Sequence, residues 1–517
     1  MSDILFGQSY FLRFDQKLWQ AMQPYPPLGT LYAASYMRAR GYEPALFDAM
    51  LAGSEEEWDQ SLVKNRPVNA VLYEDNFNYL SKMCLLRMRQ ASFTMIEMAK
   101  KRGCTVILCG ADATDHAEDY LGRGADYILL GEGEATLGEL MDRLVGKTST
   151  PFEEISGLAY LVSGEARRNN RRPDLRDLDA LPFPARDLLD IERYRALWVE
   201  RHGYFSMNLV TTRGCPFHCN WCAKPIWGQR YNTRSPANVA AEMRLMKEQY
   251  HPDHVWFADD ILGLKPGWLE RFGECVQAEN ACIPFKCLSR VDLLLRPHEV
   301  EALARAGAQT VWVGAESGAQ KILDAMDKGT RVEQIYEARR LLKASGIKAG
   351  FFLQFGYPGE TRSDIEKTIQ MVRDAQPDDI GISVSYAMPG TKFYTAVREQ
   401  LGEKQNWQDS SDMAMLFHGS FSTAFYRKLH SVIHKEFRAR RAWQELTGAY
   451  KQESPQKPLP SMRTRFRFLL RLVYNLVTLP IARFELNRLA KAPQNRSLEV
   501  PHMAPEAASR PTPQDER

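Results

Sequence analysis

Met207-Asn-Leu-Val-Thr-Thr-Arg-Gly-Cys-Pro-Phe-His-Cys-Asn-Trp-Cys222 is a β-rich run, Met207 to Thr212, that opens into a loop carrying Cys215, Cys219 and Cys222. The spacing C-x3-C-x2-C gathers three thiolates and offers no fourth ligand nearby. That donor set suits an iron-sulfur cluster with one iron left open to a second molecule. Structural zinc asks for four closed ligands, usually as two C-x2-C pairs, and His218 sits on a loop too tight to make it an easy fourth.

Downstream, the same unit recurs: a strand, then polar or glycine-containing residues, then an amphipathic helix. The further strands are His254 to Ala258, Phe285 to Ser289, Thr310 to Gly314, Ala349 to Phe355 and Ile380 to Tyr386. Six such units predict a parallel α/β sheet closed into a partial (β/α)6 barrel over 201–400. One helix shows the local logic: Ser235 caps, Pro236 occupies the first turn, and Val239, Met243 and Met246 share a face. The carboxyl ends of parallel strands converge on one mouth. The cysteine loop would therefore share it with Asp259 and Asp260, Ser289 and Arg290, Glu316 and Ser317, the Gly356-Tyr-Pro358-Gly-Glu turn and Met388 to Thr391.

Residues 1–145 read as a separate doubly wound α/β domain. It has a helix from Leu31 to Arg40 and strands at Glu43 to Phe47, Ala70 to Tyr73, Thr105 to Cys109 and Asp126 to Leu130. Gly110 to Thr114 and Gly131 to Glu134 lie just past strand ends, where open sheets bind ligands. Residues 146–200, with Arg171-Arg-Pro173 and Leu181-Pro-Phe-Pro184, look like a linker. Residues 401–450 form a helical basic region, and 451–517 hold a basic amphipathic segment and a polar, Pro-rich disordered tail from Pro493.

Within that last region, 463–483 interleaves arginines with Phe466, Phe468, Leu469, Leu470, Leu472, Val473, Leu476 and Leu479. It is too short and too interrupted by Arg471 and Asn475 to span a bilayer, which needs about 20 apolar residues. Basic apolar helices lie on membrane surfaces or pack between domains, and both readings stand. His430 and His434, one turn apart, could ligate a metal but sit in a basic helix that reads as a solvated face.

At 517 residues the chain is long enough for two or three domains, and 44% hydrophobic with 25% charged residues is an ordinary globular composition. A net charge of +3 gives no general bias towards nucleic acid, and no nucleic-acid motif is present. Nine cysteines, an odd count, and an N-terminus without a secretory pattern predict a reducing, cytoplasmic setting, peripheral to the inner face of the membrane if 463–483 lies on it.

The cysteine spacing, with Trp221 just before the last cysteine, resembles the cluster signature of the radical S-adenosylmethionine (SAM) superfamily, and the six units resemble its partial barrel. That resemblance implies a [4Fe-4S] cluster on Cys215, Cys219 and Cys222, SAM chelated at the open iron, and a flavodoxin or ferredoxin-type electron donor. It further implies that Trp221, Asp259, Asp260, Arg290, Glu316, Ser317, Gly356 and Pro358 help hold the cofactors. The alternatives are a helix N-cap for the Asp259-Asp260 pair and a buried ion pair with Arg290 for Glu316. Pro26 to Tyr42 with Asp48, and Gly124 to Glu134, are similar to the cobalamin-binding domain of one large class of these enzymes, although the chain lacks the Asp-x-His-x-x-Gly motif that ligates cobalt in other cobalamin proteins.

The subfamily resembled, through Cys222 to Gly228, Asn406 to Phe417 and Phe425 to His430, is that of the anaerobic magnesium-protoporphyrin IX monomethyl ester cyclases. The implied activity is radical methylation or oxidative cyclisation of an apolar small molecule. The competing expectations are a cobalamin-independent radical modification enzyme, or an iron-sulfur carrier or sensor without catalysis.

Overall fold

The computed structural model describes residues 2–78, 85–222, 226–401, 413–447 and 462–491. Cys84, Ala223 to Pro225, Asn406 to Asp412 and the tail from Pro493 lie outside the described residues.

The first sheet has seven strands: β1 (Ile4–Gly7), β2 (Pro44–Leu46), β3 (Asn69–Tyr73), β4 (Thr105–Cys109), β5 (Tyr127–Leu129), β6 (Leu158–Val162) and β7 (Glu165–Arg168). Their spatial order is β2-β1-β3-β4-β5-β6-β7; the first five are parallel, and β6 and β7 add an antiparallel hairpin at one edge. Alternation divides each parallel strand between two cores. Leu5, Ala70, Leu72, Val106 and Leu108 pack under the helices Glu56–Asn65 and Leu86–Lys101. Ile4, Phe6, Val71, Tyr73 and Ile107 pack under Leu28–Ala39 and Glu134–Leu144. Burial on both faces is why these strands read as continuous apolar runs.

The second sheet is parallel throughout and forms the partial barrel, with β8 (Ser206–Leu209), β11 (His254–Phe257), β12 (Phe285–Ser289), β13 (Ala308–Glu316), β14 (Lys348–Phe355) and β15 (Asp379–Val384) in spatial order from β8 to β15. A two-stranded antiparallel ribbon, β9 (Thr212–Arg213) with β10 (Asn232–Thr233), closes the base of the cysteine loop. Ser235 caps the helix Pro236–Tyr250 by accepting from Asn238 N–H, and Val239, Met243 and Met246 are fully buried.

The segment 146–200, expected as a linker, carries β6, β7 and a helix, Ile191–His202, that ties the two sheets together. Trp198 Nε1–H donates to Pro24 O at 2.7 Å, and Tyr194 O–H donates to Asp48 at 2.9 Å. Arg186 and Arg234 both pair with Glu242, with all three side chains at most 4% exposed. Helices Thr423–Thr447 and Met462–Ala490 come last among the described residues, the second lying against the first through Leu472.

Removing one partner of a buried ion cluster strands the remaining charges, so Glu242→Ala is expected to lower the unfolding free energy by about 3–5 kcal/mol. Chemical denaturation of the purified variant checks this; a loss below about 1 kcal/mol would show that the cluster does not hold the two sheets.

Candidate functional site

The mouth is built where the carboxyl ends of both sheets face each other. Arg213, the last residue of β9, is 4% exposed. It donates through Nη1 to Glu132 Oε1 at 3.0 Å and through Nη2 to Glu134 Oε1 at 2.6 Å, both in the Gly-Glu-Gly-Glu turn after β5. The two carboxylates hold the guanidinium firmly protonated, and Arg213 keeps Glu134 below the usual carboxylate range. Gly131, Gly133, Tyr73 and Phe77 crowd the same junction, where Phe77 stacks on Trp227 at 5.0 Å.

Next in the chain, Gly214 takes φ of +84°, and a Cβ there would collide with the carbonyl of Arg230, so only glycine turns the chain into the cysteine loop. Cys215 is buried against Ile261 and Leu293, Cys219 and Cys222 are half-buried, and His218 is exposed. Arg290 brings its guanidinium to 3.9 Å from Cys219 Sγ, lies 3.5 Å over the ring of Phe217, and donates to Asp292 and to Lys328 O. Among the described residues no three His, Cys, Asp or Glu side chains converge on a single metal ion. A cluster makes a different demand, since each thiolate binds a separate iron.

Asp259 does not cap a helix: no helix begins at Leu262, and the next one is Trp268–Ala278. Instead its Oδ1 accepts from Thr211 N–H at 2.8 Å, Thr212 N–H at 2.6 Å and Thr212 Oγ–H at 2.7 Å, anchoring the start of the loop. Oδ2 is buried with no partner, and burial pushes the carboxyl up to about 6. Asp260 beside it is half-buried.

Glu316 is paired, but with Lys328 at 2.8 Å rather than with Arg290. The register between β13 and β14 shifts between Gly314 and Glu316, and Glu316 itself has φ of +55°. This bulge re-aims the carboxylate towards the lysine. Ser317 points the other way: it is fully buried, its hydroxyl 3.2 Å from Thr368 Oγ1, and it accepts from Ala319 N–H.

The turn after β14 closes on itself. Gly356, φ +77°, donates its N–H to Glu360 Oε2 at 2.7 Å, while Glu360 Oε1 has no partner. Pro358 is half-buried in this turn. Tyr357 O–H reaches Asn220 Oδ1 at 3.0 Å and Ala325 O at 2.8 Å. Asn220 then donates its N–H to Met326 O and its Nδ2 to Ala325 O, and accepts from Phe393 N–H. The residue between Cys219 and Trp221 thus stitches the cysteine loop to the segments that follow β13 and β14 and to the last unit of the barrel. Nothing in the sequence marks Asn220 except that position, and Lys328 carries no signal there at all. Trp221 packs against the cluster of Ile322 and Met326, its Nε1–H buried without a partner.

In the first sheet, strand order reverses between β1 and β3, the position where open α/β sheets take ligands. Gln8, just past β1, is 1% exposed with neither amide atom hydrogen-bonded, and Asn76 Oδ1, past β3, is likewise unpartnered. Ser9 donates its N–H and O–H to Glu74.

Residues 209–372 match the Radical SAM superfamily. The chain is 26% identical over 398 residues to an uncharacterized methyltransferase of Pyrococcus horikoshii, covering 74% of this chain and 81% of that protein. It is 26% identical over 394 residues to the anaerobic magnesium-protoporphyrin IX monomethyl ester cyclase of Rubrivivax gelatinosus, covering 74% and 67%. In fold it resembles the cobalamin-dependent SAM radical enzyme OxsB with aqua-cobalamin bound (TM-score 0.68, 18% identity, 94% of this chain and 72% of that one). It also resembles the radical SAM methyltransferase TsrM of Kitasatospora setae with cobalamin and a [4Fe-4S] cluster bound (TM-score 0.63, 18% identity, 78% and 76%).

Burial raises the Glu360 carboxyl from 4.5 to about 8. A carboxyl with a raised folded value stabilises the fold while protonated; that contribution is full below about 4.5 and is lost as pH rises through about 8. Melting temperatures of wild type and Glu360→Gln measured across this window should diverge, the wild type falling more steeply with pH. Parallel curves would show that Glu360 does not titrate there.

Proposed function

We propose that the chain, whose residues 209–372 match the Radical SAM superfamily, is a cobalamin-dependent enzyme that methylates or oxidatively cyclises an apolar or conjugated small molecule. The observation that carries this reading is the junction of the two sheets, where Arg213 joins the turn after β5 directly to the start of the cysteine loop.

When bound, a reduced [4Fe-4S] cluster with SAM supplies a 5′-deoxyadenosyl radical, and cobalamin supplies a carrier for a methyl group or an electron. Cys215, Cys219 and Cys222 would hold the cluster. Arg290, 3.9 Å from Cys219 Sγ, would offset the negative charge of a cluster held there. The unpartnered Trp221 Nε1–H, Asp259 Oδ2 and Glu360 Oε1 are buried groups that a polar ligand in the mouth would satisfy. In this reading Glu316, Gly356 and Pro358 bound the nucleoside side of SAM, with Lys328 holding the Glu316 carboxylate in place. Asp260 contributes at the methionyl end, and Ser317 acts through the backbone of its turn. An electron donor of the flavodoxin or ferredoxin type would dock near the half-buried cysteines.

Cobalamin would lie at the carboxyl ends of β1 and β3, against Gln8 and Asn76. No histidine precedes His116 in the chain, so the segments after β1 and β3 would hold cobalt without a histidine of their own. The substrate's character is supported by the barrel face turned from the helices. There Trp312 stacks on Phe352 at 4.7 Å, lying across Gly350, where a Cβ would strike the indole. Lys286, lowered to about 8 by burial, sits 5.1 Å from the Trp256 ring, giving this aromatic wall one cation.

Anaerobic reconstitution with iron, sulfide and cobalamin tests the proposal. The protein should retain cobalamin through gel filtration, Gln8→Ala should weaken that retention at least tenfold, and reduction with SAM should yield 5′-deoxyadenosine. Cys219→Ala should abolish the nucleoside product while keeping cobalamin. Product formation without cobalamin retention would assign the chain to cobalamin-independent radical chemistry, and no product under any condition would sink the enzymatic reading. Product mass then separates methylation, which adds one carbon, from cyclisation, which adds none.

A further inference from the structure

The helix Met462–Ala490 has two apolar faces, and the fold uses only one. Leu472, Leu479, Ala482 and Leu486 are buried, Leu472 beside Ala439 and Ala442 of the helix Thr423–Thr447 and the other three in the large core that continues into the barrel. About 180° away, at about 100° per residue, Phe466, Leu470, Val473, Val477, Ile481 and Phe484 fall on one stripe. Each of these is more than half exposed. A helix needs one apolar stripe to pack on its protein. A second stripe, unbroken over five turns, is surface of the kind that marks an interaction site.

The charges say what kind of surface it meets. The helix carries six arginines against one acidic residue, Glu485, which is itself paired with Lys428. By the same periodicity Arg467 and Arg471 flank one side of the exposed stripe and Arg465 and Arg483 the other. Arg483 pairs with Glu436, while among the described residues Arg465, Arg467 and Arg471 have no ion-pair partner. A second copy of the chain laid on this face would bring arginine flanks together with no acidic row to meet them. An anionic lipid surface takes both features at once, apolar side chains into the acyl boundary and guanidinium groups among the phosphates. No helix of the described residues is long and apolar enough to cross a membrane, so the contact would run along the surface.

We propose that the outer face of Met462–Ala490 is a docking face for an anionic membrane surface, lying in the interface plane. The inference is independent of which substrate the barrel takes. It also decides between the two readings that the sequence of 463–483 leaves open: the helix both packs on the protein and presents a lipid face.

Flotation of the purified full-length protein with vesicles tests it, using phosphatidylcholine alone and phosphatidylcholine with phosphatidylglycerol. The wild type should float with the anionic vesicles at least tenfold more than with the neutral ones, and salt should weaken that binding. Val477→Glu with Ile481→Glu should reduce flotation at least tenfold at an unchanged melting temperature. Arg467→Ala with Arg471→Ala should lower both anionic binding and its salt sensitivity. No flotation of the wild type, equal flotation with both vesicles, or equal flotation of wild type and the glutamate variant overturns the proposal. So does a wild-type dimer that the glutamate pair converts to a monomer, which would assign the face to a second copy. Should the glutamate pair unfold the helix, the wild-type vesicle comparison and the arginine pair still decide.

Discussion

Arg213 is the constraint on which the rest of the site depends. A guanidinium taken almost wholly out of water costs several kcal/mol unless its charge is matched and its donors are used. Here Glu132 and Glu134 supply both. The carboxylates belong to the first sheet and the arginine to the ribbon that opens the cysteine loop, so neither sheet can move off the other without stranding a buried charge. The ion triad therefore fixes orientation more than it adds stability: the mouth of the barrel must face the carboxyl ends of the first sheet. A site that generates a radical requires this arrangement, because water and stray side chains compete for it.

From Arg213 the chain enters the cysteine loop under backbone control. Gly214 turns it, Asp259 accepts three hydrogen bonds at its start, and Asn220 satisfies two carbonyls and two donors in its middle. Arg290 brings its guanidinium to 3.9 Å from Cys219 Sγ, and the bulge at Glu316 explains why it is free to go there. By turning Glu316 to Lys328, the chain keeps the carboxylate from competing for the guanidinium.

The six barrel strands were legible because each is a short apolar run followed by a chemically distinctive turn, and the observed strands agree with the expected bounds to within about three residues. The first sheet was legible only in part. β1 is four residues, Ile4–Gly7, too short to show a period. The hairpin of β6 with Glu165–Arg168 carries an edge strand of charged residues, which is how an exposed edge avoids pairing and also why it gives no apolar signal. Helix Ile191–His202 was hidden for a third reason: its two fully buried residues, Tyr194 and Trp198, are a turn apart among charged neighbours. In the site, the cysteines announced themselves by spacing, whereas Asn220 and Lys328 act through contacts far from them in sequence, which no local pattern encodes.

In the proposed reading, the two sheets and the C-terminal helix bear on one another through substrate access. The barrel face that carries Trp312 and Phe352 is aromatic and partly open, with Phe352 39% exposed. A molecule that prefers such a wall is poorly soluble, and its concentration in water is low. Its effective concentration is set by wherever it partitions, and a protein held along a lipid surface samples that reservoir directly. An enzyme free in solution must instead wait for rare aqueous encounters, each limited by the molecule's desorption from lipid. On this argument the second apolar stripe of Met462–Ala490 serves delivery rather than stability, and it follows that removing the stripe would slow turnover of an apolar substrate presented in vesicles while leaving the reductive cleavage of SAM, which needs no lipid, unchanged.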